Sequence, residues 1–461
     1  MKQIDVNILQ LLLPKQAWHY KAIPFQTDST SIHFYTVESN IKSIQDELNF
    51  ILNKEIHTFP LTDEEINELL VKYYRIEKDK SYFENNSISA GSDDDLLIKI
   101  LNEAKSLDSS DIHIESYEYK CRIRYRIDGE LIDRYIIKKE EYPSLINKIK
   151  IKAHLDISEK RLPQDGRILL NLTADKIDIR VSILPTLFGE KCVMRILNNE
   201  IAKIDLHAIG MNPVQVELYE QAIQKPNGII LISGPTGSGK TTTLYSTLKL
   251  LNKSNRNILT IEDPVEYTIE GVNQVPLKES IGLTFPKALR SFLRQDPDII
   301  MVGEIRDKDT AEMAIRASLT GHLVLSSIHT NSAMGTINRL IDMDVPRFLI
   351  ADTLVLSIAQ RLVRLLCNQC KKKVTTSDQD KKNINIPFHY EAVGCESCYH
   401  TGYKGRIGIF EMISIDNTIK EAIRKNEHDR QSMQIKTLRD NALELVSTGK
   451  TSLIEISPIF K

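Results

Sequence analysis

Residues Gly234, Pro235, Thr236, Gly237, Ser238, Gly239, Lys240 and Thr241 fit the pattern G-x-x-x-x-G-K-[ST]. Their setting restricts the fold more than any other stretch of the chain. The apolar run 229–233 reads as a buried strand, and a helix is expected over 242–251. Strand, glycine-rich turn and helix in that order gather backbone N–H groups and the positive end of a helix around phosphate oxygens. Lys240 then falls on the β- and γ-phosphates and the Thr241 hydroxyl on Mg²⁺. With Thr242, these residues form a predicted nucleoside triphosphate site.

Around this loop the chain alternates strands with helices. The runs 228–233, 258–261, 299–302 and 323–326 are short and nearly all apolar, as strands buried on both faces of a parallel sheet are. At 461 residues the chain is too long for one ordinary core, so two or three domains are expected. A unit at 1–75 has a strand at 31–37 and a helix opened by Thr62, with Glu65 completing a capping box. The polar stretch 76–93 reads as a linker. A second α/β unit spans 94–203, and the nucleotide-binding domain spans 204–461, ending in a helical segment.

Sixty basic and sixty-two acidic side chains leave a net charge of −2, so the electrostatic footprint of a nucleic-acid binder is missing over the whole chain. No run approaches the roughly 18–20 apolar residues of a membrane span. The opening apolar stretch is short and closed by Pro14, unlike a signal peptide. A cytoplasmic protein is expected, meeting a membrane only through partners.

Two acidic clusters follow predicted strands. Glu304, just past the strand 298–302, is a candidate to hold Mg²⁺ or polarise the attacking water. Glu262, Asp263 and Glu266 follow 258–261, and spacing leaves open which acid is the base. His329 stands at the C-terminal end of a strand, where α/β ligands bind, and could sense the γ-phosphate; His322 precedes the same strand. Cys367-x₂-Cys370 and Cys395-x₂-Cys398 form two knuckles, the ligand set of a closed, structural zinc site within 361–405. Cys121 and Cys192 read as core residues.

In this order, segments 234–242, 258–267, 298–307 and 320–333 resemble the Walker A, Asp box, Walker B and His box of secretion-superfamily ATPases. The resemblance is to the GspE-like and PilB-like branch in particular, and it covers about residues 90–455. It implies a RecA-like P-loop core, a preceding PAS-like α/β domain, a small N-terminal docking domain and a tetracysteine zinc insertion. It further implies Glu266 as the catalytic glutamate, Glu304 as the Walker B magnesium residue, and His322 and His329 in structural and phosphate contacts. The segments 109–115, 122–129 and 161–167 match the family's arginine-bearing region. Arg124, Arg126, Arg161 and Arg167 are therefore candidates to reach a phosphate or a neighbouring subunit. The implied activity is ATP hydrolysis by a homo-hexamer on the inner face of the cell membrane, powering type II secretion or type IV pilus assembly. The implied partners are an inner-membrane platform protein and a membrane-anchored docking protein, with no direct nucleic acid. A DNA-uptake or conjugation-type translocase is the alternative.

Overall fold

The structure is a computed structural model. It describes most of residues 6–73, and 93–460 apart from 173–174, 198–204, 377–383, 385 and 428–434. The linker predicted at 76–93 lies almost wholly outside the described residues. By their contacts the residues fall into two compact units, one built on 1–91 with 117–123 and 134–142, the other on 92–116, 124–133 and 143–461.

In the first unit β1 (Ala22–Thr27) pairs antiparallel with β2 (Ser31–Val37), which pairs parallel with β3 (Glu55–Leu61). The helix Asp63–Tyr73 follows. Its predicted capping box is present: the Thr62 N–H donates to Glu65 at 3.0 Å and the Glu65 N–H to the Thr62 hydroxyl at 3.3 Å. Ile23, Ile32, Phe34, Ile56, Ile66 and Leu70 form its buried core.

The second unit begins with the helix Asp93–Ser106 and β4 (Asp111–Ser116), and of β5 (Cys121–Ile127) and β6 (Glu130–Ile137) it holds 124–127 and 130–133. After the helix Tyr142–Lys152 come β7 (Gln164–Leu172), β8 (Asp175–Thr186) and β9 (Gly189–Leu197). β7 pairs with β8, β8 with β9 and β9 with β4, all antiparallel.

The portion that carries the phosphate loop is built on β10 (Gly228–Ser233), β11 (Ile258–Glu262), β12 (Asn273–Pro276), β13 (Ile299–Val302), β14 (Leu323–Ile328) and β15 (Leu354–Leu366). Beyond them lie the short strands β16 (Lys372–Thr375) and β17 (Phe388–Glu391), then β18 (Tyr403–Ser414). The seven-stranded sheet runs β12-β11-β13-β14-β10-β15-β18; its strands are parallel except β18, which is antiparallel to β15. Along β10, Ile229 and Leu231 join a core under the helices Lys308–Leu319 and Ala333–Asp342, while Ile230 and Ile232 face the helices Pro213–Ile223 and Lys240–Leu251. Alternate residues serve opposite cores, so the strand can tolerate no polar face and reads as one apolar run. Each such side chain contributes about 1.5–3 kcal/mol by leaving water.

β15 and β18 are both members of this sheet, so the tetracysteine insertion proper lies between Leu366 and Tyr403, inside the predicted 361–405. Among the described residues no helix is long and apolar enough to cross a membrane.

Candidate nucleotide site and metal centre

Parallel β10, β11, β13 and β14 bring their C-terminal ends to one edge of the sheet, and the loops leaving them carry the acids and the phosphate loop. Gly234 leaves β10 at φ +152°, where an added Cβ would lie 2.5 Å from both the Gln360 carbonyl and the Ser238 hydroxyl. Gly239 holds a left-handed φ of +88° just before the helix Lys240–Leu251. Underneath, the Gln360 side chain accepts from the Thr243 hydroxyl at 2.9 Å. The Lys240 ammonium folds over the loop, donating to the carbonyls of Gly234 (2.8 Å) and Pro235 (3.0 Å), so its charge sits at the loop's centre. Burial lowers its pKa, Arg361 adds to that and Glu304 opposes it.

Short bonds register the neighbouring loops. The Gly303 N–H donates to the Ile261 carbonyl (2.8 Å), the Ile305 N–H to the Ser327 carbonyl (2.9 Å), and the Ser327 hydroxyl to the Gly303 carbonyl (2.7 Å). Glu304 consequently sits 3.3 Å from His329 Nε2 and accepts from Arg306, which also lies 3.9 Å from Asp263. Burial pushes the Glu304 carboxyl up, but Arg306, His329 and Lys240 outweigh it and hold the group below the ordinary range. Glu262 is different: it is 4% exposed and takes hydrogen bonds from Tyr245, Thr260 and Gln274, so its carboxylate is committed inside the fold. Glu266 is partly exposed, with Arg180 Nη1 3.3 Å from its carboxylate and Arg180 Nη2 donating to the Val265 carbonyl at 3.0 Å.

The structure thus brings Lys240, Glu304, His329 and the 262–266 turn to one edge. It does not bring His322 there. His322 precedes β14, at the opposite end from His329, and its Nδ1 lies 2.8 Å from the Ala317 carbonyl and 3.1 Å from the Thr320 hydroxyl. A six-residue strand of about 20 Å separates it from His329, so within this chain it partners a helix end and not the phosphate loop.

The four arginines singled out in the sequence have other partners. Arg126 lies 3.5 Å from Asp111, Arg161 is 90% exposed beside Glu159, and Arg167 pairs with Asp178. Arg124 forks onto Glu115 with two bonds of 2.9 Å, and Lys191 approaches the same carboxylate at 3.0 Å. Arg180, which sequence reasoning missed, meets the acid turn at Glu266 and Val265, as Arg306 does at Asp263. Arg167 and Arg180 are directly paired across β7 and β8 and share a face. No spacing rule says which of two cross-strand partners reaches the cleft and which is taken by a local aspartate.

Glu115 also sets a pH dependence. Burial alone would raise its pKa, but Arg124 and Lys191 bring it from 4.5 down to about 2. A depressed folded-state pKa gives stability that is present above pH 4.5 and lost as pH falls from there towards 2, on the order of 3 kcal/mol in all. Urea unfolding of the wild type and Glu115→Gln is expected to show a gap that is widest near neutrality and closes below pH 4. A gap independent of pH would remove this account.

Cys367, Cys370, Cys395 and Cys398 converge with their sulfurs all within 4.8 Å of one another. Cys367–Cys395 is 3.9 Å, and Cys370–Cys398 and Cys395–Cys398 are each 3.7 Å. Metal–sulfur bonds of about 2.3 Å in a tetrahedron give edges of about 3.8 Å, so the four thiols fit zinc. Amides point at the sulfurs as they do at thiolates: Gly394 N–H to Cys370 at 3.3 Å, and Cys395 and Gly402 N–H to Cys398 at 3.2 Å. Burial pushes Cys398 up, but these last two donors, with the Cys395 and Cys370 thiols, prevail and hold it at about 7, while burial pushes Cys370 up to about 11.

Residues 89–457 match the Type II/IV secretion system protein family, and residues 2–80 match the MshEN domain. The chain belongs to the type II/IV secretion ATPase family. This secretion ATPase is 43% identical over 393 residues to the Type II secretion system ATPase E of Vibrio cholerae, covering 82% of this chain and 78% of that protein. It is 39% identical over 497 residues to the Type IV pilus assembly ATPase PilB of Myxococcus xanthus, covering 99% and 87%. Among solved structures, the ADP-bound pilus retraction motor PilT aligns with a TM-score of 0.54 at 26% identity, over 79% of this chain and 96% of that one. The Legionella pneumophila ATPase DotB aligns at 0.62 and 21% identity, over 81% and 98%, a likeness of fold. The RecA-like core, the N-terminal α/β domain and the tetracysteine insertion expected from the sequence are all present.

Proposed function

We propose that this ATPase works as a homo-hexamer on the cytoplasmic face of the cell membrane and powers assembly of a pilus or pseudopilus. The observation that carries the catalytic part is the meeting of Glu304, His329 and the Arg180-bound Glu266 at the edge where Lys240 crosses the glycine loop. Residues 234–242 bind the triphosphate through backbone N–H groups, with Lys240 on the β- and γ-oxygens. Thr241 and Glu304 would hold Mg²⁺, which neutralises charge on the transferring phosphoryl group. Glu266 orients the attacking water, and His329, steadied by Glu304, faces the γ-phosphate. Arg180 ties the acid turn to β8 of the preceding domain, so hydrolysis is coupled to that domain's orientation. The domain limits 1–75, 94–203 and 204–461 are part of this proposal, as are the inner-membrane platform protein and the membrane-anchored docking protein as partners.

Phosphate release by the full chain tests the reading, measured alone, with single-stranded DNA and with the platform protein's cytoplasmic domain. Stimulation by the platform domain and indifference to DNA are expected. Stimulation by DNA alone would favour the translocase. Arg180→Ala is expected to lower turnover by about tenfold or more, the scale of a catalytic group left slightly out of place. Turnover at the wild-type level would remove Arg180 from the mechanism.

A further inference from the structure

The turn that carries Glu266 is fastened from below by a residue outside every motif. Tyr245 lies five residues into the helix that opens with Lys240, so it is rigidly tied to the phosphate loop about 7.5 Å along the axis. Its phenol donates to Glu262, and its oxygen accepts the Glu266 N–H at 3.1 Å. The direction of these bonds is fixed by Glu262. That carboxylate is buried and only accepts, from Thr260 at 2.6 Å and Gln274 at 3.1 Å as well as from the phenol. The tyrosine proton is therefore committed to Glu262, and a lone pair remains for the Glu266 amide. Burial, then the Glu262 charge, keep that phenol protonated far above its ordinary range. The Tyr267 ring meets Tyr245 edge-on with centroids 4.4 Å apart, which limits ring motion. On its other side the turn is held by Arg180.

We propose that Tyr245, oriented by Glu262, is a positioning residue that sets the Glu266 carboxylate relative to the phosphate loop at the start of its own helix. A shift of that helix on phosphate binding is passed to the acid turn through one hydrogen bond. The proposal rests on Glu266 being the residue that orients water. It assigns Glu262, also an acid of the 258–267 cluster, to support rather than to chemistry.

The test uses the full chain and four variants: Tyr245→Phe, Glu262→Gln, Glu266→Gln and the Tyr245→Phe/Glu266→Gln double variant. ATP turnover, KM for ATP, affinity for a fluorescent ADP and thermal melting are measured for each. Tyr245→Phe keeps the ring and its packing but loses both bonds. It is expected to lower kcat by about tenfold or more, since small misplacements of a catalytic group are costly, while KM and ADP affinity stay within about twofold. Glu262→Gln can present an amide donor to the phenol, freeing its proton, and is expected to reproduce the kcat loss. In the Glu266→Gln background, Tyr245→Phe is expected to add less than about twofold, because the group it positions is gone.

Wild-type kcat in Tyr245→Phe, or an equal loss in both backgrounds, overturns the positioning role. If Tyr245→Phe melts below the assay temperature, Glu262→Gln decides by the same criteria. Full turnover in Glu266→Gln alone overturns the assignment of Glu266, a result distinguishable from failure of the Tyr245 comparison.

Discussion

Alanine at Lys240 is expected to cut ATP turnover by at least about a hundredfold, the scale seen when one preorganised charge or donor is removed from a transition state. The ammonium sits over the glycine loop on the carbonyls of Gly234 and Pro235, half-buried, beside the Glu304 carboxylate. No other described lysine shares that position, and a methyl group offers no charge to the β- and γ-oxygens. The fold should survive, because the helix Lys240–Leu251 is held by Tyr245, Leu248 and Leu251 in the core rather than by the lysine. Phosphate release and circular dichroism on the same preparation check both halves. Turnover within about threefold of wild type would mean that residues 234–241 do not grip the phosphates.

Loss of metal is the second large effect. A structural zinc contributes its binding free energy to folding, and here the four thiols close a tetrahedron that leaves no coordination position for substrate. Chelation or Cys395→Ser is expected to lower the melting temperature by roughly 10 °C, equivalent to several kcal/mol in a domain of this size. ATP affinity should change by less than about threefold, because the phosphate loop takes its support from Gln360 and the sheet. Metal analysis should return one zinc per chain. An unchanged melting curve after complete removal of metal would rule out a structural role.

Much of this architecture was legible in the residues, and for definite reasons. The strands at 228–233 and 299–302 lie where their apolar runs predict, because burial on both faces leaves a pattern that nothing polar interrupts. The helix after Thr62 announces itself by its capping box, a contact three residues long. The cysteine knuckles are legible because metal geometry requires close pairs. Contacts fixed by the third dimension could not be read. Arg180 reaches Val265 across 85 residues, and Glu411 accepts from the N–H groups of Ala333 and Leu438, the first residues of two helices far apart in the chain. Tyr245 meets Glu262 and the Glu266 N–H only because the fold sets β11 beside its helix. His322 and His329 share a motif, yet a strand's length parts them, and proximity in sequence overstated their kinship.

The cysteine insertion leaves the sheet at Leu366 and returns at Tyr403, and those two residues are partners in the β15–β18 ladder. Its entry and exit are thus adjacent, like the two prongs of a plug seated in one socket. A tight turn joining the prongs would restore the hairpin without disturbing the register inward of it. Evolution could therefore fit, resize or discard this accessory while the ATP-binding edge at the other strands stayed as it is.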